Sequence, residues 1–274
     1  MSSPLLEVRQ VARTYHMGGL FGRGARAVDG VSFEVGANGP EILAIIGESG
    51  SGKTTMARMI LNMVRPSAGS IRFKGIELAS TRSRKERLDF MRQVQPIFQN
   101  PFEAFNPMKR LERYLFATAR HFADATTPEA AHAHADKALR QVGLSLAEVR
   151  GRFPHELSGG QLQRAAIARA LIASPSLLVA DEPVSMVDAS LRTSIVNLFR
   201  TLRDELGVSI IYITHDLATA YYISDRILIM KQGKAVESGD ARTVLDNPQH
   251  PYSQLLKQSV LSPDPSARQG VFNA

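Results

Sequence analysis

The sequence predicts an α/β fold: a largely parallel sheet covered by helices, preceded by antiparallel strands and interrupted by a helical insertion. Three observations carry this expectation. Strand and helix alternate through SLLVADEP, Ala189–Leu206, VSIIYITHD, Leu217–Ile223 and RILIMKQG, the rhythm of a parallel sheet with crossover helices. LLEVRQVARTY near Leu5–Tyr15 and VDGVSFEV near Val28–Val35 read as antiparallel strands. From about Phe102 to Pro154 the composition shifts to Ala, Arg, His and Glu at helical spacing.

The elements follow in order. GGLFGRGARA, between the first two strands, reads as a hairpin loop. Its GxGxxG-like pattern is discounted because no helix pattern follows it. EILAIIG is a buried strand, and the helix after it is expected over Lys53–Val64, stopping before Pro66. GSIRFKG is a strand with its turn, and Val94–Pro101 a strand running into a loop. Arg82–Arg87 is a short charge cluster containing Glu86. Thr127 caps a helix with Pro128 at its first position, and Ala131, Ala135, Leu139 and Val142 form its apolar stripe. His132 and His134, two apart, do not share a face and read as solvent-facing, not as metal ligands. Phe102 and Phe105 read as core, and LSPDPSARQGVFNA as a poorly ordered tail.

Composition narrows the function. The chain has 274 residues, 44% hydrophobic and 22% charged, an ordinary globular balance. No apolar run approaches the roughly 18 residues of a membrane span, and MSSPLLEVRQ does not read as a secretory signal. The absence of cysteine excludes disulfides, cysteine-held zinc and iron–sulfur clusters. A cytoplasmic protein is expected. The net charge of +7 is spread along the chain, so it reads as solvated charge, and no nucleic-acid partner is expected.

Three motifs carry chemistry. GESGSGKT, Gly47–Thr54, follows a strand and opens a helix, the context that makes it a phosphate loop. Its backbone N–H groups would cradle phosphates, Lys53 would add a positive charge, and the Thr54 hydroxyl would bind Mg²⁺. LLVADEP places Asp181 and Glu182 at the C-terminal end of a buried strand, where α/β sheets bind ligands. Asp181 would hold Mg²⁺, and Glu182 would accept a proton from attacking water. LSGGQ, Leu157–Gln161, opens a second helix whose free N–H groups suit an anion, and two glycines admit close approach. Two phosphate-facing helix ends so far apart need a common explanation.

The order of P-loop, Gln99, LSGGQ, LLVADEP, SMVD and THD resembles the nucleotide-binding subunits of ABC transporters over nearly the whole chain. The resemblance implies a P-loop NTPase (RecA-like) core with an antiparallel β subdomain and an inserted α-helical signature subdomain. It implies a single domain over 1–260: core and β subdomain at about 1–100 and 162–240, and a helical subdomain at about 101–161. A C-terminal helix and tail take up 241–274. ATP would lie between two subunits packed head to tail. Gly47, Glu48, Ser49, Gly50, Ser51, Gly52, Lys53, Thr54 and Thr55 would bind ATP, with Tyr15 stacked on adenine. Ser158, Gly159, Gly160 and Gln161 would grip the γ-phosphate held by the partner, and Asp188 would lie in the loop crossing to the other site. Gln99 would touch Mg²⁺ beside Thr54 and Asp181, and His215 would contact the γ-phosphate and the attacking water. Glu182, His215, Lys53 and Gln99 make up the catalytic set. Ser185-Met186-Val187-Asp188 departs from the commoner Ser-Ala-Leu-Asp but keeps the aspartate.

NPQHPYSQLLKQSV, Asn247–Val260, is similar to the C-terminal region of ATPases in oligopeptide/dipeptide importers, and DEPVSMVDASLR and GGLFGR also resemble that group. The resemblance implies a peripheral ATPase on the cytoplasmic face of the cell membrane. Its partners would be a second ATPase subunit (a different chain or a second copy), two transmembrane permease subunits and an extracytoplasmic solute-binding protein. The same group imports oligosaccharides, opines and nickel. A non-transport ABC ATPase, acting on nucleic acid or serving a metabolic complex, is the competing class. Copurification with two multi-spanning membrane proteins separates the two.

Overall fold

The computed structural model describes residues 3–16, 24–80 and 83–261. GGLFGR at 18–23 and the tail beyond Leu261 lie outside the described residues. The chain forms two compact units, one of residues 1–81 with 211–274 and the other of residues 82–210.

In the first unit β1 (Leu6–His16) and β2 (Gly24–Val35) pair antiparallel, from Leu6 opposite Val35 to His16 opposite Gly24. The glycine-rich segment therefore feeds a strand, not a helix. β3 (Ile42–Ile46) is buried at every position, as its uninterrupted apolar run predicts. α1 (Lys53–Ile60) stops short of the expected Val64. Asn62 adopts φ +55°, with Met63 N–H donating to the Arg58 carbonyl (2.9 Å) and Asn62 N–H to that of Met59 (3.0 Å). This Schellman pattern ends the helix before Pro66 can act. β4 (Ala68–Phe73) pairs with β1. Lys74 and Gly75, at φ +49° and +79°, then turn the chain into β5 (Ile76–Glu77), which completes a sheet ordered β2-β1-β4-β5.

The second unit opens with α2 (Arg84–Gln93), where composition showed only a charge cluster. Ser83 Oγ accepts from Glu86 N–H (3.1 Å) and Glu86 Oε2 from Ser83 N–H (2.9 Å). This capping box was present in the sequence as Ser-x-x-Glu. β6 (Val94–Ile97) follows. α3 (Leu111–Phe122), α4 (Pro128–Gln141) and α5 (Leu146–Val149) form the expected helical insertion. Thr127 caps α4, and Ala131, Ala135, Leu139 and Val142 are all buried. His132 is half-buried, its ring 4.4 Å from that of Phe116, and so is not solvent-facing. His134 is exposed. Phe105 is core, but Phe102 is 45% exposed. The 3₁₀ turn Pro101–Ala104 ends at Phe105, whose backbone is extended, so the two rings do not share one side.

α6 (Gly159–Leu171), β7 (Leu177–Asp181) and α7 (Ala189–Leu206) complete the second unit, with Gly207 at φ +67° closing α7. β8 (Ser209–Thr214) carries the chain across the boundary between units. α8 (Leu217–Ile223), β9 (Arg226–Lys231), β10 (Lys234–Asp240), α9 (Ala241–Asp246) and α10 (Pro251–Leu261) then return to the first. β3 runs parallel to β9, and β6 parallel to β7. β10 pairs antiparallel with β9. Among the described residues no helix is long and apolar enough to cross a membrane.

Candidate functional site

The first unit holds the phosphate loop, between the buried β3 and α1. At Gly47 an added Cβ would lie 2.2 Å from the Met230 carbonyl oxygen, and at Gly52 2.3 Å from that of Ala27. The loop is thus threaded between β9 and β2, where only glycine fits. The Lys53 ammonium donates to the carbonyls of Gly47 (2.7 Å) and Glu48 (2.8 Å) and is 6% exposed. Ser51 N–H donates to Glu48 O (3.2 Å), and Gly233 N–H to Ser51 O (3.0 Å). Ser51 Oγ is buried with no partner of its own. A buried cation, an orphaned hydroxyl and a cradle closed to Cβ atoms fit an anionic ligand.

Ser49, Gly50 and Thr54 are exposed, and Glu48 and Thr55 half-buried. Tyr15, near the end of β1, is half-buried with the Arg13 guanidinium 4.7 Å over its ring. His215 is exposed after β8, just ahead of Asp216, which caps α8 by accepting from Ala218 N–H (2.9 Å).

The second unit brings together Gln99, after β6, and Glu182, after β7. Gln99 Nε2 donates to Glu182 Oε2 at 3.1 Å. Glu182 has φ +47°, a left-handed backbone that glutamate seldom adopts. Its carbonyl accepts from Ser185 N–H (3.2 Å) and Ser185 Oγ (3.0 Å), which hold it there. Strain of this kind costs about 1–3 kcal/mol and collects at functional positions. Asp181, half-buried, ends β7 one residue earlier.

LSGGQ opens α6 as expected. Ser158 Oγ accepts from Gln161 N–H (3.2 Å), and Gln161 Oε1 from Ser158 N–H (3.1 Å). Gly159 is exposed and Gly160 buried, where an added Cβ would meet Leu191 Cδ1 of α7 at 2.7 Å. Asp188, exposed, precedes α7, so the signature turn and the Ser185–Asp188 loop are neighbours in one unit.

The site residues thus fall into two groups. Tyr15, Gly47–Thr55 and His215 belong to the first unit; Gln99, Ser158–Gln161, Asp181, Glu182 and Asp188 belong to the second. Sequence reasoning missed residues that hold these groups in place. Arg169 of α6 donates to the Ala104 carbonyl and lies 5.7 Å over the Phe105 ring, pinning the segment after Gln99. Burial pushes its pKa below the ordinary arginine value. Arg164 joins α6 to Ser194 of α7 (2.6 Å). An arginine facing inward on an alanine-rich helix was the available signal. Tyr252 stood out only as part of NPQHPYSQLLKQSV; its contact with Glu48, 204 residues away, carried no signal.

A glycine-threaded phosphate loop after a parallel strand, acidic residues at the end of another, and a capped Ser-Gly-Gly helix define a nucleoside-triphosphate-binding protein of the P-loop class. Residues 28–185 match the family model described as ABC transporter, and the chain belongs to that family, as one of its ATPase cassettes. Residues 236–272 match the oligopeptide/dipeptide transporter C-terminal region. A Brucella ovis protein named for peptide import and ATP binding is 40% identical over 268 residues, 97% of this chain and 81% of the relative. The oligopeptide transport ATP-binding protein AppF of Bacillus subtilis is 39% identical over 260 residues, 93% of this chain and 78% of the relative. The dimeric ATP-binding cassette MJ0796, in a post-hydrolysis state with ADP and phosphate, superposes with a TM-score of 0.75 at 27% identity. That match covers 86% of this chain and 99% of the cassette.

Proposed function

We propose that this chain is the ATP-hydrolysing subunit of a peptide importer, bound at the cytoplasmic face of the cell membrane by two permease subunits. Peptide reaches them from a separate solute-binding protein, and a second ATPase chain completes the nucleotide sites. The observation that carries the reading is the match of residues 236–272 to the oligopeptide/dipeptide transporter C-terminal region, in a chain that also has a complete phosphate loop. The names of the Brucella and Bacillus relatives support it.

The proposed chemistry follows from the residues. Lys53 exchanges its carbonyl partners for phosphate oxygens of ATP, and the loop N–H groups after Glu48 receive the other phosphate oxygens. Tyr15 stacks on the base, and Thr55 sits beside the phosphates. Mg²⁺ suits oxygen donors such as Thr54 in the first unit and Asp181 and Gln99 in the second, and would neutralise phosphate charge. Glu182 takes the proton from attacking water, and His215 stabilises the charge developing on the γ-phosphate. Ser158–Gln161 serve the ATP held by the partner, and Asp188 crosses toward that site. The helices at 101–161 form the signature subdomain, with core and β subdomain on either side and the C-terminal helix from 241.

Ser158→Ala is expected to lower stability by about 1 kcal/mol through loss of the helix cap. ATP binding by the isolated chain should be unchanged, while turnover in the assembled transporter falls. Urea unfolding, nucleotide titration and phosphate release read the three effects. A parallel loss of ATP affinity in the isolated chain would remove the signature from the partner's site.

Isolating the intact complex tests the function itself. Two multi-spanning proteins should copurify, and mass spectrometry of the bound solute-binding protein should find peptide. Copurified nucleic acid, or a bound sugar or nickel ion, would overturn the assignment.

A further inference from the structure

His250-Pro251-Tyr252 lies in the segment that matches the oligopeptide/dipeptide transporter C-terminal region, and the proposed ATPase chemistry uses none of the three. In the first unit this triplet reaches the phosphate loop. The Glu48 backbone N–H donates to the Tyr252 hydroxyl at 2.9 Å. The Glu48 carbonyl accepts from Lys53 Nζ at 2.8 Å and from Ser51 N–H at 3.2 Å. Tyr252 and Lys53 therefore grip one loop residue through its two adjoining peptide groups. We propose that Tyr252 is a positioning residue for the phosphate loop, holding the Glu48 peptide in the orientation from which the loop receives nucleotide. This rests on Gly47–Thr54 being the nucleotide site.

The hydroxyl has little freedom to leave. Tyr252 is 5% exposed and packs in one cluster with Ala44 and Ile46 of β3, Leu217 and Ala220 of α8, and Ile229 of β9. The Lys231 ammonium lies 4.8 Å over its ring. The backbone ahead of it is anchored to β10: Glu237 accepts from Gln249 N–H (2.8 Å) and His250 N–H (3.1 Å). His250 Nδ1 accepts from Tyr252 N–H (3.1 Å), and Pro251 opens α10 with no N–H to satisfy. The three residues thus divide the work, with His250 capping the helix, Pro251 starting it and Tyr252 touching the loop. Burial pushes the Tyr252 hydroxyl above its ordinary pKa, against the opposing effect of the hydrogen bond from the Glu48 N–H, so it stays neutral around pH 7.

A core tyrosine that merely satisfied its hydroxyl would affect stability alone. A positioning tyrosine affects the order of the loop and its affinity for nucleotide. Tyr252→Phe keeps the ring and deletes the acceptor. In the full chain the dissociation constant for a fluorescent ATP analogue is expected to rise about three- to tenfold, the scale of one lost hydrogen bond. Hydrogen exchange at the Glu48 amide should accelerate, while the unfolding midpoint without nucleotide falls by no more than the cost of that one hydrogen bond. Tyr252→Leu, which also removes the ring, should lower that midpoint as well. Unchanged affinity and Glu48 exchange in Tyr252→Phe, with defects confined to Tyr252→Leu, would overturn the proposal in favour of packing. Lys53→Ala separates the nucleotide site from the clamp. If it bound the analogue like wild type, the nucleotide assignment would fall and the clamp with it. If it lost binding while Tyr252→Phe did not, the clamp alone would fall.

Discussion

Glu182→Gln should bind ATP as the wild type does and lose about 10²–10⁴-fold in turnover, the usual contribution of a positioned general base. The substitution changes little else. Glutamine keeps the length of the side chain, and its amide oxygen can still accept from Gln99 Nε2, now 3.1 Å from Glu182 Oε2. The backbone at φ +47° is held through the carbonyl by Ser185, which does not depend on the side chain. What disappears is the capacity to accept a proton. ATP should therefore accumulate unhydrolysed, and a nucleotide-dependent dimer should persist on size exclusion where wild type shows it only transiently. Turnover in the assembled transporter within tenfold of wild type would move the base elsewhere.

Gly52→Ala should damage both the fold and the site. The position combines φ +103° with a Cβ contact of 2.3 Å to the Ala27 carbonyl oxygen, a backbone atom that cannot swing aside. Positive φ alone costs about 1–3 kcal/mol, and relief of the clash adds the displacement of β2 or of the loop. Stability should fall by at least about 2 kcal/mol, and ATP binding by more than tenfold, because the Lys53 N–H follows directly. Gly50→Ala is the internal comparison. There φ is +80°, but nothing lies within 4 Å of an added Cβ, so only backbone strain should be felt. Equal unfolding midpoints for the two variants would show that the approach to Ala27 does not constrain the loop.

The sequence by itself determined the elements whose logic is local. The Gly47–Thr54 loop ahead of a helix, the helix start at LSGGQ and the apolar stripe of α4 are set by spacing within a few residues, and the structure places them as read, adding a Ser158–Gln161 capping box at the second helix start. Two further features are just as local: the capping box Ser83–Glu86, which makes a charge cluster into α2, and Asn62, whose left-handed conformation ends α1 early. Only the tertiary structure decided the rest. Phe102 and Phe105 have the same apolar side chain, and the backbone switch at the end of one 3₁₀ turn leaves one exposed and the other buried. Glu182 meets Gln99, 83 residues away in sequence, because β6 and β7 pair in parallel. Tyr252 meets Glu48 because α8, α9 and β9 stack the C-terminal segment beside β3. Local pattern specifies which backbone hydrogen bonds a segment can make. It does not specify which distant group will satisfy a peptide N–H that the segment leaves over, and that choice falls to packing.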